Sequence, residues 1–175
     1  IAYQTAYMKA NYTVEYMTSV LTAFRSNEEK VAAAVAECRR MGIDVLPPDV
    51  HSSHVEFTVE GEAIRFGLLA VKNVGESAIE SIIAARDEGG PFTSLTDFCT
   101  RIDLRLCNRK VLEALAKVGA LNTFGHPQQI LDGLDDAVLA AQATQRDRIT
   151  GQTSLFDMGT AEAATLTRPL PATPE

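Results

Sequence analysis

The sequence predicts a mainly α-helical protein with one small β-hairpin and a flexible C-terminal tail. Apolar residues recur at a spacing of about 3.6 over most of the chain, which is typical of amphipathic helices. Apolar and polar residues alternate over residues 55–66, which favours a pair of strands there. From residue 160 onward the chain is rich in Ala, Thr and Pro, and it holds too few large apolar groups to offset the entropy lost on ordering.

Composition and charge are those of an ordinary globular chain. Of 175 residues, 16 are Lys or Arg and 23 are Asp or Glu, so the formal net charge is −7. This balance argues weakly against a protein that coats nucleic acid over its whole surface. No apolar run approaches the roughly 18 residues of a membrane helix, and the start lacks a signal-peptide pattern. We therefore expect a soluble, cytoplasmic protein with no membrane partner. Because Ile1 is not an initiator Met, we also expect the chain to be a piece of a longer polypeptide.

The first three helices are predicted from apolar spacing and capping residues. Residues 1–24 show helical spacing with an interruption at 11–13, which predicts two short helices and a bend. Ser26 and Glu29 form a capping box, which predicts the start of a third helix. Gly42 should end that helix.

The remaining elements follow from proline, alternation and glycine. The prolines at 47–48 exclude helix, and a turn at residues 61–62 divides the alternating stretch into two strands. A longer helix is expected from His126-Pro127 to about Arg148. Between the hairpin and that helix, glycines and capping residues separate four short helices, at about 68–72, 76–86, 95–101 and 109–118.

A faint internal repeat relates two of these short helices. At an offset of 33, residues 78, 79, 80 and 82 match residues 111, 112, 113 and 115. Two similar helical hairpins about a pseudo-twofold axis would produce the match, although any two amphipathic helices could also align this well.

The first candidate binding motif combines a short helix, a tight turn and a second helix that begins near Glu76. A helix start offers unpaired backbone N–H groups and a positive dipole end, which together bind phosphate. Gly75 would let a nucleic-acid backbone approach closely, and Asn73 tolerates the left-handed conformation that such a turn demands. We expect Val74 to be buried and Lys72 to add a charge contact. An ordinary connecting turn is the alternative. The candidate DNA-binding residues here are Lys72, Asn73, Val74, Gly75, Glu76 and Ser77.

The second candidate motif places basic side chains beside a helix start. Asn108 is a plausible N-cap for the following helix, and Arg105, Arg109 and Lys110 stand next to it. Glycines are missing here, which weakens the case for close backbone approach. A solvated charged turn is the alternative.

These strings resemble, in order, the tandem helix-hairpin-helix region of the bacterial replicative DNA polymerases of family C, the polymerase III alpha subunits. The likeness rests on Ile64 to Leu68, Val74-Gly75-Glu76, Gly90 to Cys99 and Asn108 to Ala120. Residues 2–12 and 37–49 are similar to the end of that family's fingers domain, and the likeness extends to about residue 158. It implies a helical fingers segment at 1–48, a loop and β-hairpin at 49–66, a tandem helix-hairpin-helix module at 67–120, a helical extension at 121–150, a clamp-binding peptide at 151–158 and a flexible tail at 159–175.

The resemblance implies a DNA-directed DNA polymerase of chromosomal replication whose helix-hairpin-helix module grips duplex primer-template DNA. The family's catalytic aspartates lie upstream of Ile1, so the resemblance implies no catalytic residue here, and Mg²⁺ is expected in the palm of the parent polymerase. Other polymerase III holoenzyme subunits are implied partners of the parent chain. Two departures stand out: Asn73 replaces a usual glycine, and Thr13 replaces a usual proline.

A third motif, residues 151–157, places an apolar pair in a polar segment after the last helix. It resembles the pentapeptide by which bacterial polymerases bind the sliding clamp, the beta subunit. By this resemblance Gln152 and Ser154 make the polar contacts, with Gln152 hydrogen-bonded at a small pocket, while Leu155 and Phe156 fill an apolar cleft. The alternative is that the apolar pair folds back onto the preceding helix.

Other features carry less chemistry. His51 and His54 form an HxxH pattern, but no cysteine or carboxylate cluster completes four ligands, so no metal site and no cofactor are expected in this chain. Three cysteines at unsuited spacings should be reduced and buried. Two other functions stay open beside the polymerase: a non-enzymatic helix-hairpin-helix scaffold of repair or recombination, and a packing module whose turns never meet DNA. A third alternative, closely related to the polymerase assignment, is the error-prone paralogue of the alpha subunit.

Overall fold

The computed structural model describes the backbone of residues 2–161 and the side chains of residues 2–147, and it confirms the mainly α-helical fold class. No helix in this part of the chain combines the length and apolar character needed to cross a bilayer. Two 3-10 segments, Leu68–Ala70 and Asn122–Phe124, link the main elements. These elements are α1 (Ala2–Asn11), α2 (Thr13–Ala23), α3 (Glu28–Arg40), β1 (Val45–Leu46), β2 (Thr58–Glu60), β3 (Ala63–Arg65), α4 (Glu76–Gly89), α5 (Leu95–Arg101), α6 (Arg109–Lys117) and α7 (Pro127–Ala161).

The first three helices follow the sequence closely, with one correction. The chain bends between α1 and α2 where apolar spacing breaks, and α3 ends before Gly42, whose φ is +74°. The predicted capping box at Ser26 is wrong by one residue. Asn27 is the N-cap instead, and its side chain accepts a hydrogen bond from the Lys30 amide at 3.0 Å. Asparagine caps a helix as well as serine does, so the two adjacent polar residues compete for the position.

A three-stranded sheet stands between the helical parts in the order β1-β3-β2. The predicted hairpin is β2 and β3, which pair antiparallel with Val59 opposite Ile64. Strand β1 was not predicted, and it pairs parallel to β3 with Val45 opposite the same Ile64. A two-residue strand is too short to show alternation in sequence.

Two hydrophobic clusters form the interior of the described chain. The smaller cluster joins α2 and α3 to the sheet. The larger cluster joins α4, α5, α6 and the first part of α7. Phe66 packs against both clusters, so its side chain connects the cores of the two helical parts. The largest fully buried side chains include Leu21, Ile64, Ile79, Ile82, Phe98, Leu112, Leu115 and Leu134.

The link between α4 and α5 is held by one arginine. Arg101 donates to the carbonyl oxygens of Gly90, at 2.7 Å, and of Ala85. Its guanidinium also pairs with Asp97 at 3.3 Å and lies 4.5 Å from the Phe92 ring centroid. The side chain is therefore committed to the fold, which fixes α5 relative to α4.

The three cysteines are free and buried, as expected. Burial raises the pKa of Cys99 to about 11 and that of Cys107 to about 12. Their thiols are therefore neutral and poorly reactive near neutral pH, which fits a packing role.

Helix α7 runs through Ala161, whereas apolar spacing had suggested an end near Arg148. Gly151 lies within the helix, where a glycine costs about 1 kcal/mol relative to alanine without ending a helix by itself. Residues 162–175 of the predicted tail lie outside the described residues.

We predict that Gly67→Ala lowers the free energy of unfolding by about 1–3 kcal/mol, because overpacking a tight contact has that cost. A β-carbon there would stand 2.6 Å from the Phe57 amide nitrogen, where backbone must move. The matched variant Gly133→Ala lies in α7 with no atom within 4 Å of its new β-carbon, and it should raise stability by about 0.5–1 kcal/mol. Urea denaturation of both variants measures the difference. Equal stabilities would contradict the close approach at Gly67.

Candidate nucleic-acid interface

The first hairpin runs from the Leu68–Ala70 segment through a tight turn into α4. The Val74 amide donates to the Val71 carbonyl at 3.3 Å and closes the turn. Asn73 has φ +65° and is the one non-glycine residue with positive φ in the described part of the chain. The left-handed conformation expected of Asn73 is therefore present. Val74 is buried, and its exposed neighbours on both sides face solvent.

The start of α4 leaves backbone donors without acceptors. Gly75 is the N-cap and has no side chain to accept a hydrogen bond, while its carbonyl accepts from the amides of Ala78 and Ile79 at 3.1 and 3.2 Å. Within residues 2–147, the amides of Glu76 and Ser77 donate to no protein acceptor. They stand at the positive end of the helix dipole in exposed positions. This arrangement can accept an anion.

Gly75 is not required by the fold. Its φ of −86° and ψ of 156° are ordinary extended values, and a β-carbon built there meets nothing within 4 Å. The missing side chain therefore leaves open space in front of the free amides rather than relieving internal strain. A ligand backbone could occupy that space.

The second hairpin joins α5 to α6, and there a side chain accepts hydrogen bonds from the first amides of the helix. The Asn108 side chain accepts from the amides of Lys110, at 3.0 Å, and Val111, at 3.3 Å. The predicted N-cap role of Asn108 is thus observed. At the tip, Leu106 is 44% exposed. Because the asparagine already satisfies two amides, this helix start offers fewer free donors than the first.

The basic side chains of the second hairpin are paired with carboxylates. Arg105 contacts Asp103 at 3.0 Å, and this hydrogen bond holds the pKa of Asp103 below its usual value. Arg109 contacts Glu113 at 2.8 Å and Asp135 of α7. The hydrogen bond from Arg109 also lowers the pKa of Glu113. The two arginines therefore present little unbalanced charge to a ligand.

The two hairpins share a register of buried residues but differ in the backbone of the turn and in chemistry, since Asn73 has a positive φ and Leu106, 33 residues on, does not. The offset of 33 that relates α4 to α6 also relates the buried Val74 to the buried Cys107, and the N-cap Gly75 to the N-cap Asn108. Both helices bury their matched apolar residues in one cluster. The internal repeat is therefore a structural one.

A groove lies between the turn of the first hairpin and the outer face of α6. It encloses about 440 Å³ and brings the predicted Lys72, Asn73 and Lys110 to one surface. Lys117 also lines it, although the sequence analysis did not single that residue out. The available signal was its spacing of seven from Lys110, which places both lysines on one helix face two turns apart. Arg105 and Arg109 do not line this groove.

The remaining candidate residues lie elsewhere. His51 has Nε2 3.0 Å from the Phe92 carbonyl oxygen and packs edge-on against Phe92 and Phe124. Among the described residues, no three His, Cys, Asp or Glu side chains are grouped to hold a metal ion. The expectation that the clamp peptide, Gln152 to Phe156, follows the last helix is wrong, because its backbone lies within α7. Its side chains lie outside the described residues.

Comparison with known proteins finds a family model and relatives that match this chain. A family model described as a helix-hairpin-helix motif matches residues 42–131, which are 90 of the 175 residues. The chain is 44% identical over 170 residues to the DNA polymerase III subunit alpha of Deinococcus radiodurans, covering 97% of this chain and 13% of that protein. The corresponding proteins of Thermus aquaticus and Escherichia coli are 45% and 43% identical over 156 and 159 residues, covering 89% of this chain in each case and 13% and 14% of the relatives. The chain thus spans about an eighth of these relatives.

We predict that Asn73→Gly leaves the free energy of unfolding unchanged or higher, whereas Asn73→Val lowers it by about 1–2 kcal/mol, the cost of a left-handed backbone at a residue with a β-carbon. The reason is the φ of +65° at this turn. Thermal unfolding followed by circular dichroism measures both. If valine were tolerated as well as glycine, the turn would not impose this conformation.

Proposed function

We propose, since the chain belongs to the helix-hairpin-helix family, that it binds the phosphate backbone of duplex DNA as part of a bacterial replicative DNA polymerase III alpha subunit. The observation that carries the proposal is the open start of α4. There the amides of Glu76 and Ser77 have no protein acceptor among the described residues, and Gly75 leaves space for a phosphate. Phosphate contacts position a protein on DNA without reading its sequence, as a replicative enzyme requires.

The acidic total of the chain is compatible with this role. The net charge of −7 is a sum over the whole surface, whereas a phosphate contact depends on the local field. Close to the free amides, Lys72 is 77% exposed and pairs with the equally exposed Glu28 at 3.3 Å. Exposed pairs of this kind contribute little, about 0–1 kcal/mol, so Lys72 can exchange its carboxylate for a phosphate.

Nucleotidyl transfer would take place outside this chain. Among the described residues no three His, Cys, Asp or Glu side chains are grouped to hold a metal ion, and we assign no catalytic step to them. We propose that the parent chain is the DNA-directed DNA polymerase, that its Mg²⁺ is bound by residues elsewhere in it, and that it works in the cytoplasm with the other polymerase III holoenzyme subunits. Sequence identity of 41–45% to alpha subunits over most of the chain favours this assignment over a repair scaffold.

We further propose that the segment after the helix-hairpin-helix module tethers the polymerase to the sliding clamp. The support is the sequence Gln152-Thr153-Ser154-Leu155-Phe156, which resembles the clamp-binding pentapeptide. Burial of Leu155 and Phe156 in a cleft would supply most of the affinity, about 3–5 kcal/mol before ordering costs. Tethering raises the effective concentration of polymerase at the primer end.

DNA binding is tested by fluorescence anisotropy of a labelled duplex with the full chain. We predict an affinity that falls as salt rises, because phosphate contacts release counterions. Gly75→Val should weaken binding about tenfold, since a branched side chain blocks approach to the free amides, and a tenfold change corresponds to about 1.4 kcal/mol. Ser19→Val, at an exposed position on α2, is the matched control and should change nothing. Binding that ignores salt, or that Gly75→Val leaves intact, would refute the proposal.

Clamp tethering is tested separately. The double substitution Leu155→Ala and Phe156→Ala should abolish binding to the sliding clamp in surface plasmon resonance, because these side chains supply the apolar contact. Thr153→Ala, at a position to which the resemblance assigns no contact, should bind within about twofold of the original protein, a change below about 0.4 kcal/mol. Clamp affinity that survives the double substitution would show that another segment makes the contact.

A further inference from the structure

The groove between the first hairpin and α6 has a charge pattern that the start of α4 does not explain. Its walls carry three lysines, Lys72, Lys110 and Lys117, and one carboxylate, Glu113. Its apolar residues are Val71 and Val118, with Ala114 beside them. A surface of this kind attracts an extended anion that also offers apolar surface, as the phosphates and sugars of a nucleic-acid strand do.

The lysines of the groove are available to a ligand. Within the described residues Lys110 forms no ion pair, and Lys117 approaches Glu113 no closer than 3.9 Å. Glu113 itself is engaged by Arg109 at 2.8 Å, on the side of α6 that faces α7. The carboxylate in the groove is therefore largely neutralised by an arginine outside it, and the net charge of the groove remains positive.

The tip of the second hairpin is less suited than the first hairpin to bind the phosphates of a nucleic-acid strand. Asn108 already accepts from two of the amides at the start of α6. Arg105 is paired with Asp103, and Arg109 bridges Glu113 and Asp135. A phosphate at this tip would have to displace the asparagine and compete with three carboxylates, which costs free energy that the first hairpin does not lose.

Resting on the proposed DNA-binding function, we infer that the strand held at the first hairpin runs through the groove along α6, and that Lys110 and Lys117 bind its phosphates. The arginines at the tip of the second hairpin stay in their multiple hydrogen bonds with carboxylates instead. Two helical turns separate the α-carbons of the lysines by about 10.5 Å along α6, so the two side chains can reach different phosphates of one strand. Helix α6 thus lines the binding site opposite the turn of the first hairpin. In this arrangement the first hairpin binds the strand, and the tip of the second hairpin does not.

The test measures duplex binding by the full chain across a salt series for Lys110→Gln, Lys117→Gln and the double variant. Each single variant should bind about three- to tenfold more weakly at low salt, and each lost phosphate contact should reduce the slope of log affinity against log salt by about 1. Lys9→Gln is the matched control, because Lys9 lies on α1 and pairs with Glu37 at 3.1 Å. This control and Arg105→Gln should stay within twofold. Circular dichroism should show unchanged folding, since all these side chains are exposed.

The outcomes separate this inference from the function on which it rests. If Gly75→Val loses affinity while both groove variants keep theirs, DNA binding stands and the path along α6 is wrong. The path is also wrong if Arg105→Gln weakens binding more than either lysine variant does. If the original chain shows no salt-dependent affinity for duplex DNA, the proposed function itself fails.

Discussion

The first amides of any α-helix lack acceptors within the helix, and this chain meets that constraint in two different ways. At α6 the side chain of Asn108 satisfies two amides, which completes the helix internally. At α4 the N-cap is a glycine, and two exposed amides find no acceptor in the part of the chain that the structure describes. An exposed unsatisfied amide is tolerable because water can serve it, and it becomes useful when a phosphate replaces the water. The proposed function follows from that difference.

The shared hydrophobic cluster holds the two helix starts, which differ in their free amides, in a fixed arrangement. Because α4 and α6 bury matched residues in one cluster, the turn of the first hairpin and the outer face of α6 are fixed relative to each other. Arg101 fixes the connection through α5, and Arg109 fixes α6 to α7 through Asp135. Basic side chains thus divide into two groups. The arginines near α5 and α6 make close contacts with carboxylates or carbonyl oxygens, whereas among the described residues Lys110 forms no ion pair and Lys117 forms only one of 3.9 Å.

Sequence reasoning succeeded where a local rule decides the structure. The bend before α2, the end of α3 at Gly42 and the left-handed Asn73 each follow from one residue type or one interrupted pattern. It failed where tertiary contacts decide. Strand β1 forms only because β3 lies beside it. The pairing of Arg109 with Asp135, 26 residues away, follows from no local sequence pattern, so the sequence does not predict it. Lys117 entered the candidate site only once α6 was placed against the turn.

The central claim is that DNA meets the chain at the open start of α4. Amide chemical-shift mapping by nuclear magnetic resonance, with unlabelled duplex DNA added stepwise to isotope-labelled protein, tests it most directly. The account predicts large saturable shifts at the amides of Glu76 and Ser77, with the amides of Arg105 and Leu106 at the tip of the second hairpin nearly unmoved, because Asp103 accepts from both. Shifts concentrated at the second helix start, with Glu76 and Ser77 unchanged at saturating DNA, would contradict it.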